Sequence, residues 1–501
     1  MGTVTISGML AAEAGALSGG WTEESLLDLA GERLGLAIGR FFPVPGIAVG
    51  YLGKGHNAGD TLVALGVLRD RFGWRIGARN AFPMEEWAPL TLRKWRQLGL
   101  DHTLSAPPSW RDEKGTLLLL DGLLGTGSKG SLKQELRILA EEMEWLRGHA
   151  GARVAAVDVP SGIEADSGKF PPGTVTADAT FMIANPKRGL LLSHAANATG
   201  ALALVPLEPL TSEETGEIEL ICPQLMDTAK RSRPFDFHKG MAGRVNIVAG
   251  SESYTGAAIL AATGALRGGG GLITLHAPRP AVSAIASRCP PEIIVRGYSS
   301  FSDLRETRTD AWVVGCGIGH LDAAPGAELL DFIAGSTVPM VIDADALNLI
   351  SSHDAIHRLT DLHLVTPHPG EFRRLAPDLA EMPRESAARA FVERTSATLL
   401  LKGCRTLVTR KGQPLWSNST GSPGMATGGQ GDLLAGVIGA RLALGDSALD
   451  AASLSAWLCG RAAEIAIADT GSACESEESL TPSCVANRLG AAYRDWRASL
   501  R

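Results

Sequence analysis

Short, almost wholly apolar runs recur along the chain, each followed by a glycine turn and then by helical spacing. In the first half they are "IAVGYLG" (47–53), "TLLLLDGLLG" (116–125), "VAAVDVPS" (154–161) and "ATFMIA" (179–184). Strands covered by helices on both faces of a parallel sheet read this way, because neither face needs a polar side. A second series begins with "RVNIVAG" (244–250) and continues through "GLITLHAP" (271–278), "AWVVGCG" (311–317), "PMVIDADALN" (339–348), "LHLVTPHPG" (362–370), "TLLLKG" (398–403) and "TLVTRKG" (406–412). Alternating strand and helix predicts an α/β fold in each half. Between them, "LEPLTSEETGEIELICPQLMDTAKRSRPFDF" (207–237) is polar, proline-punctuated and mixed in charge, as a connection between domains should be. The expected division is 1–215, a linker over 216–237, and 238–501.

Composition agrees with that division and narrows the class. A chain of 501 residues exceeds what one core usually supports. Its net charge of −7 lacks the basic excess of a nucleic-acid or anionic-membrane binder, so neither partner is expected. The seven cysteines are scattered and form no CxxC pair, which argues against a disulfide framework or a zinc cage and suits a reducing cytoplasm. The N-terminus "MGTVTISGMLAAEAGALSGGW" makes a poor signal peptide, and no run of about eighteen apolar residues is available to span a bilayer. A cytoplasmic homo-oligomer acting on small molecules is the expectation.

Ligands in open α/β sheets bind beyond the carboxyl ends of the strands, so the residues that end these runs carry the chemistry. In "GGQGDLLAGVIGARLA" (428–443), Gly428, Gly429 and Gly431 open a helix, where bare amides and the dipole's positive end bind phosphate. Asp432 inside such an anion site would repel the phosphate unless it served the reaction. Beside a phosphoryl group it can take the proton of an attacking hydroxyl. An Asp that merely complements the helix dipole is the bland alternative. Lys402 and Gly403 end another strand and suit a nucleotide. His368 lies between prolines with Glu371 close by, as apt for a structural as for a functional role. Asp343 and Asp345 can hold magnesium or simply cap a helix. His353 and His357, at i, i+4 spacing without the glutamate of HExxH, read as solvated surface. On these residues the second half is a phosphate-handling enzyme acting on a hydroxyl.

The segments "HKGMAGRVNIVAGSESYTGAAILAATGALRGGGGL" (238–272), "VVGCGIG" (313–319), "DADALN", "TPHPGEF", "LKGCRT" and "GMATGGQGDLLAG" resemble, in order, those of the NAD(P)H-hydrate dehydratase family. The resemblance spans 238 to about 495 and implies a ribokinase-like fold. It implies that (6S)-NAD(P)H hydrate is returned to NAD(P)H at the expense of ADP or ATP, carried with Mg2+. By it, Lys402, Gly403, Cys404, Arg405 and Thr406 with Gly428, Gly429 and Gly431 bind the adenine nucleotide. Asp432 is the catalytic base, and Ala257, Gly317 and His368 line the hydrate site. Two departures stand out. The family more often has GPG where this chain has Gly315-Cys316-Gly317. Gln430 stands where ADP-using bacterial relatives usually carry Thr or Ser and resembles instead the ATP-using eukaryotic branch, although TPHPGEF looks bacterial and favours ADP, which leaves the nucleotide open.

In the first half, "YLGKGHNAGDTLVALGVLRD" (51–70) runs strand, glycine turn, helix, but its glycine spacing does not fit GxGxxG. Asn57, Asp60, Asp121, Asp158 and Ser161 all fall at strand ends. Any one of them is explained by turn formation; three such clusters are explained less well. These motifs, with "ESLLDLAG" (24–31) and "TADATFMIANPKRGLLL" (176–192), resemble the NAD(P)H-hydrate epimerase family over about 10–207. The resemblance implies a Rossmann-like fold and K+ held by Asn57, Asp121 and Ser161. It implies Asp158 as the acid/base that interconverts the C6 epimers, and a hydrate site lined by His56, Asn57, Ala58, Gly59, Asp60, Gly125, Thr126 and Gly127. Here the family loop is usually GxGNNGGDG, whereas this chain has His56, Ala58 and Thr61 in place of Asn, Gly and Gly. The loop "SKGSL" (128–132) lacks the arginine expected near 130. Ala58 adds a Cβ where a left-handed backbone or close ligand approach is the expected need.

Together the two resemblances predict a bifunctional enzyme acting on NADHX and NADPHX. A ribokinase-like hydroxymethyl kinase with a non-catalytic N-terminal binding module is the alternative.

Overall fold

The apolar runs form strands, and the glycine turns become the strand-to-helix junctions. The computed structural model describes residues 1–107, 115–127, 130–210, 212, 216–223, 233–468 and 475–498. The chain divides into two compact units, Met1–Leu220 and Ile221–Arg501.

In the first unit, β1 (Ile47–Leu52), β2 (Arg75–Asn80), β3 (Leu117–Gly122), β4 (Arg153–Val157), β5 (Ala179–Ile183) and β6 (Ala201–Val205) are parallel in the order β2-β1-β3-β4-β5-β6. Alternate residues of β3 enter different cores, Leu118 and Leu120 one, Leu117 and Leu119 the other. Helices therefore cover both faces, which is why the strand is apolar from Leu117 to Leu120. The order reverses between β1 and β3, and a doubly wound sheet opens its ligand crevice at such a switch point. Within the expected linker, Ile218–Leu220 forms β7 and returns to the chain's start, with Leu220 N–H donating to Met1 O at 2.9 Å. Residues 224–232 of that linker lie outside the described residues.

The second unit contains β8 (Arg244–Val248), β9 (Leu272–Pro278), β10 (Ile294–Tyr298), β11 (Ala311–Val314), β12 (Met340–Ile342), β13 (His363–Val365), β14 (Thr398–Leu401), β15 (Leu407–Thr409) and β16 (Leu415–Ser417). They lie in the order β10-β9-β8-β11-β12-β13-β14-β15-β16, parallel as far as β14 and antiparallel beyond it. The switch point falls between β8 and β11, beside the Gly315–Gly317 turn. Two helices, Thr255–Arg267 and Gln430–Ala443, approach closely over this sheet: a Cβ on Gly436 would lie 1.9 Å from Ala261 O, and one on Gly264 2.2 Å from Leu433 O.

β2, β6, β7, β10 and β16 are not among the apolar runs. β2 and β10 show the reason, since they sit at sheet edges, carry Arg75, Arg79 and Arg296, and bury few positions. Among the described residues no helix is long and apolar enough to cross a membrane, and the six described cysteines are all free.

Candidate active sites

In the first unit, Asp121 near the end of β3 is wholly buried. Ser161, on the loop after β4, donates its Oγ to Asp121 Oδ1 at 2.6 Å and its N–H to Oδ2 at 2.7 Å. Asn57, in the first turn of the helix His56–Phe72, donates Nδ2 to Leu124 O at 2.8 Å, while Leu124 N–H donates to Ser161 Oγ at 2.9 Å. The three residues thus gather around one loop. Burial pushes the Asp121 carboxyl up to about 6, against the hydrogen bonds from Ser161 and Leu123 that lower it. The donors on offer are carboxylate, hydroxyl and amide oxygens, a set that suits a hard cation.

The altered glycine loop takes ordinary helical form. Ala58 has no left-handed backbone; it sits in the helix and is fully buried, so its Cβ is core. Gly59 is buried as well, and a Cβ there would stand 2.7 Å from Leu27 Cδ1, so a side chain at this position would require Leu27 to shift. Thr61 Oγ1 donates to Asn57 O at 2.8 Å and fills the space over Gly122, where a Cβ would lie 2.1 Å away. His56 and Gly127 are exposed, and Asn57, Asp60, Gly125 and Thr126 are half-buried. Gly125 would bring a Cβ to 3.6 Å from Asn57 Cβ. Ser128 and Lys129 of the SKGSL loop lie outside the described residues.

Asp158 follows β4 at φ +65°, with Ile183 N–H donating to its Oδ1 at 2.9 Å. Its other Oδ1 partner, the buried Lys187, has no signature in the sequence, where a lysine after proline reads as a turn. Asp60 is held well above its ordinary range, chiefly by burial, then by the charges of Asp158 and Glu13, with Lys187 opposing.

In the second unit, Asp343 follows β12 and is 1% exposed. It accepts from Lys402 Nζ at 2.6 Å, and Lys402 in turn is fixed by its N–H to Pro367 O at 2.9 Å. Gly431 lies against this pair: a Cβ there would come within 2.9 Å of Lys402 Nζ. Asp432 follows in the first turn of the helix Gln430–Ala443, whose N-cap Gly429 has φ +94°. Burial pushes the Asp432 carboxyl up to about 6; the Asp343 charge adds to this, and the Cys316 thiol and Lys402 oppose it. Cys316 is itself buried, its thiol driven well above the ordinary range by burial and by Asp432 and Asp343. Gly317, at φ +64°, would bring a Cβ to 2.8 Å from that of Ala257, so the two residues meet.

The two acids considered for magnesium are otherwise committed, Asp343 to Lys402 and Asp345 to Gly319 N–H at 2.8 Å. Among the described residues no group of three or more His, Cys, Asp or Glu is placed to hold a metal. His368 caps the helix Pro369–Leu375, accepting Gly370 N–H on Nδ1 at 3.0 Å with Nε2 3.3 Å from Glu371. His353 and His357 are exposed and lie on different elements.

The stretch 402–406 is clamped by Arg384, which the sequence did not single out. Its Nη1 donates to Cys404 O at 2.6 Å and its Nη2 to Lys402 O at 3.1 Å. Gly403 at φ +140° is where a Cβ would strike that guanidinium, 2.7 Å away. Cys404 is exposed, and Thr406 Oγ1 donates to Gly403 O at 3.0 Å. Arg405 turns inward, and its burial draws its pKa down to about 10 against the charges of Cys404 and Glu464. Gly428 is exposed, and both amide atoms of Gln430 are buried with no hydrogen-bond partner among the described residues.

Two family models match separate stretches of the chain. The family model described as NAD(P)H-hydrate dehydratase matches residues 245–481, and that described as YjeF-related protein N-terminus matches 23–189. The chain is 35% identical to a bifunctional NAD(P)H-hydrate repair enzyme of Gloeobacter violaceus, over 86% of this chain and 87% of that one. It is 32% identical to one of Coxiella burnetii, over 91% and 93%. A ribokinase-like superfamily protein of Enterococcus faecalis V583 superposes with a TM-score of 0.50 at 24% identity, over 57% of this chain and 99% of that one, which shows the fold of the second half.

Proposed function

This chain belongs to the family of bifunctional NAD(P)H-hydrate repair enzymes, and on that premise we propose which residues of each half carry the chemistry. It is a metabolite-repair enzyme with an epimerase domain and a dehydratase domain. In the dehydratase, Asp432 takes the proton of the hydrate's C6 hydroxyl as that oxygen attacks the terminal phosphorus of an adenine nucleotide, whose bridging P–O bond breaks to release AMP from ADP or ADP from ATP. Phosphate then departs with the C6–O electron pair, and loss of a proton from the adjacent carbon restores the double bond. The observation that carries this reading is the meeting of Gly431, Asp432 and the Lys402–Asp343 pair at one helix N-terminus. Gly428, Gly429 and Gly431 offer amides to the phosphates. Residues 402–406 border the nucleotide through backbone and Thr406, with Arg405 holding the loop from within. Ala257, Gly317 and His368 line the hydrate side. Magnesium arrives with the nucleotide, since Asp343 and Asp345 are already bonded.

In the epimerase, Asn57 Oδ1, Asp121 and Ser161 Oγ would hold K+, which supplies a fixed positive charge beside the substrate's oxygens. Asp158 moves the proton that interconverts the C6 epimers. His56, Asp60 and residues 125–127 face the hydrate, while Ala58 and Gly59 serve the helix's packing. The free cysteines fit a reducing cytoplasm.

The test is recovery of dihydronicotinamide absorbance from a mixture of both NADH-hydrate epimers, with ADP or ATP supplied in turn. Complete, potassium-dependent recovery supports both assignments. Recovery that halts at the S fraction removes Asp158 from an active epimerase. Absence of recovery with either nucleotide removes Asp432 and its phosphate site.

A further inference from the structure

Two turns of unusual geometry stand side by side where β4 and β5 end. Asp158, at φ +65°, is spanned by a Val159 N–H to Val157 O bond of 2.8 Å. Ala184, at φ +66°, is spanned by Asn185 N–H to Ile183 O, also 2.8 Å. A γ-turn of this hand is rare and strained for a residue with a Cβ, and it persists only where surroundings hold it.

One ammonium links the two turns. Lys187 is 1% exposed; its Nζ donates to Ile183 O at 2.6 Å and to Asp158 Oδ1. Ile183 N–H reaches the same Oδ1 at 2.9 Å, and Asp158 N–H donates to Phe181 O at 3.0 Å. The lysine is fixed through its neighbours, since Val4 N–H donates to Pro186 O at 2.9 Å. Oδ1 is thus doubly occupied, whereas Oδ2 has no hydrogen bond among the described residues. A buried ammonium is costly unless paired, and here its pair is the one acid at the sheet's carboxyl edge assigned to proton transfer.

The charges facing Asp158 come from three directions. Asp60 belongs to the helix His56–Phe72, Glu13 to the helix Ile6–Ser18, and Lys187 to the segment after β5, while His56 acts on Glu13. Three carboxylates therefore share one lysine, and the hydrogen bond assigns it to Asp158.

We propose that Lys187 is the positioning residue of the epimerase: it fixes Asp158 Oδ1 across the two turns, so that Oδ2 alone is presented to the hydrate. This rests on the reading of Asp158 as the proton-transfer group. Loss of the clamp releases both turns, moves Oδ2, and lowers the rate of proton transfer more than it weakens substrate binding.

The experiment follows R/S interconversion of NADPH hydrate by the full-length enzyme in potassium buffer, with spontaneous epimerisation subtracted. Variants are Lys187→Met, Lys187→Arg, Asp158→Asn and the Met/Asn double variant. Misplacing a reacting group by about 1 Å can cost about 100-fold, so Lys187→Met should lower kcat by about that factor while KM stays within about threefold. Lys187→Arg keeps the charge but not its shape and should restore part of the rate. The double variant should be no slower than Asp158→Asn alone, because both changes disable one unit. An unchanged kcat in Lys187→Met beside an inactive Asp158→Asn overturns the proposal. So does a collapse of kcat and KM together without rescue by arginine, or independent losses in the double variant. Full activity of Asp158→Asn overturns it by a different route, removing the reading of Asp158 on which it stands.

Discussion

Lys402 Nζ donates to Asp343 Oδ1 at 2.6 Å, and Gly431 closes over that pair so tightly that a Cβ would lie 2.9 Å from the ammonium. The lysine's charge is therefore committed, and Asp432 one residue on keeps little of it. Burial and the neighbouring Asp343 charge leave the Asp432 carboxyl titrating near 6, so dehydration should gain rate as pH rises through about 6 and be level above it. The sign follows from its role: the base acts ionised, and a raised pKa removes the ionised form at the acidic end. A pH profile of kcat at saturating nucleotide checks this; a rate already level at pH 5 excludes Asp432 as the base.

Asp432→Asn should lower dehydration by roughly 10²–10⁴-fold, the usual share of a general base. Nucleotide affinity, measured by calorimetry, should hold, because the amides of Gly428, Gly429 and Gly431 are untouched. Loss of affinity and rate together would make Asp432 part of the phosphate site.

Gly436 serves packing alone. Its missing Cβ lets Ala261 O approach to what would be 1.9 Å, so Gly436→Ala must push the two central helices apart. Overpacking of this kind costs about 1–3 kcal/mol, visible as a lower unfolding midpoint. A variant as stable as the parent would mean that the helices adjust freely.

How much of this was legible in the sequence depends on how local the signal is. β1, β3, β4 and β5 are mostly apolar because both faces are covered, and each matches a run in the chain. β2, with Arg75 and Arg79 at a sheet edge, has no such pattern, so it stayed hidden. Asp121, Ser161 and Asn57 could be chosen as strand-end polar residues, and the structure brings them together. Lys187 and Arg384 could not. Each is a basic residue whose partner lies at the end of another strand, a relation no spacing records. Ala58 misled for the opposite reason: a motif position that holds glycine in relatives suggested a special backbone, yet here it lies within a helix.

Potassium should stabilise the first unit in a pH-dependent way. Asp121's folded pKa of about 6 lies above its ordinary value of 3.8, so burying it favours the protonated form. Its contribution to stability is present below about pH 4 and is lost as pH rises through 6. A cation bound by the ionised group reverses that loss. Potassium should therefore raise the unfolding midpoint clearly at pH 7.5 and little at pH 4.5, and Asp121→Asn should abolish the difference. Equal effects at both pH values would place the ion elsewhere.

Gln430 is where nucleotide choice can be read. Its side-chain amide stands at the start of the helix Gln430–Ala443 with both polar atoms buried and no partner among the described residues. An unpaired buried amide costs about 1–3 kcal/mol, which a nucleotide able to bond it returns as affinity. A second nucleotide whose phosphates end elsewhere gains nothing from the same group. Gln430→Thr should accordingly weaken use of the preferred nucleotide by about tenfold and leave the other nearly unchanged, the difference being about one hydrogen bond. Measuring kcat/KM for ADP and ATP in both enzymes decides it: a ratio that stays the same would show that Gln430 faces neither nucleotide, and that the choice between them is made by the Gly428–Gly431 amides or the 402–406 loop.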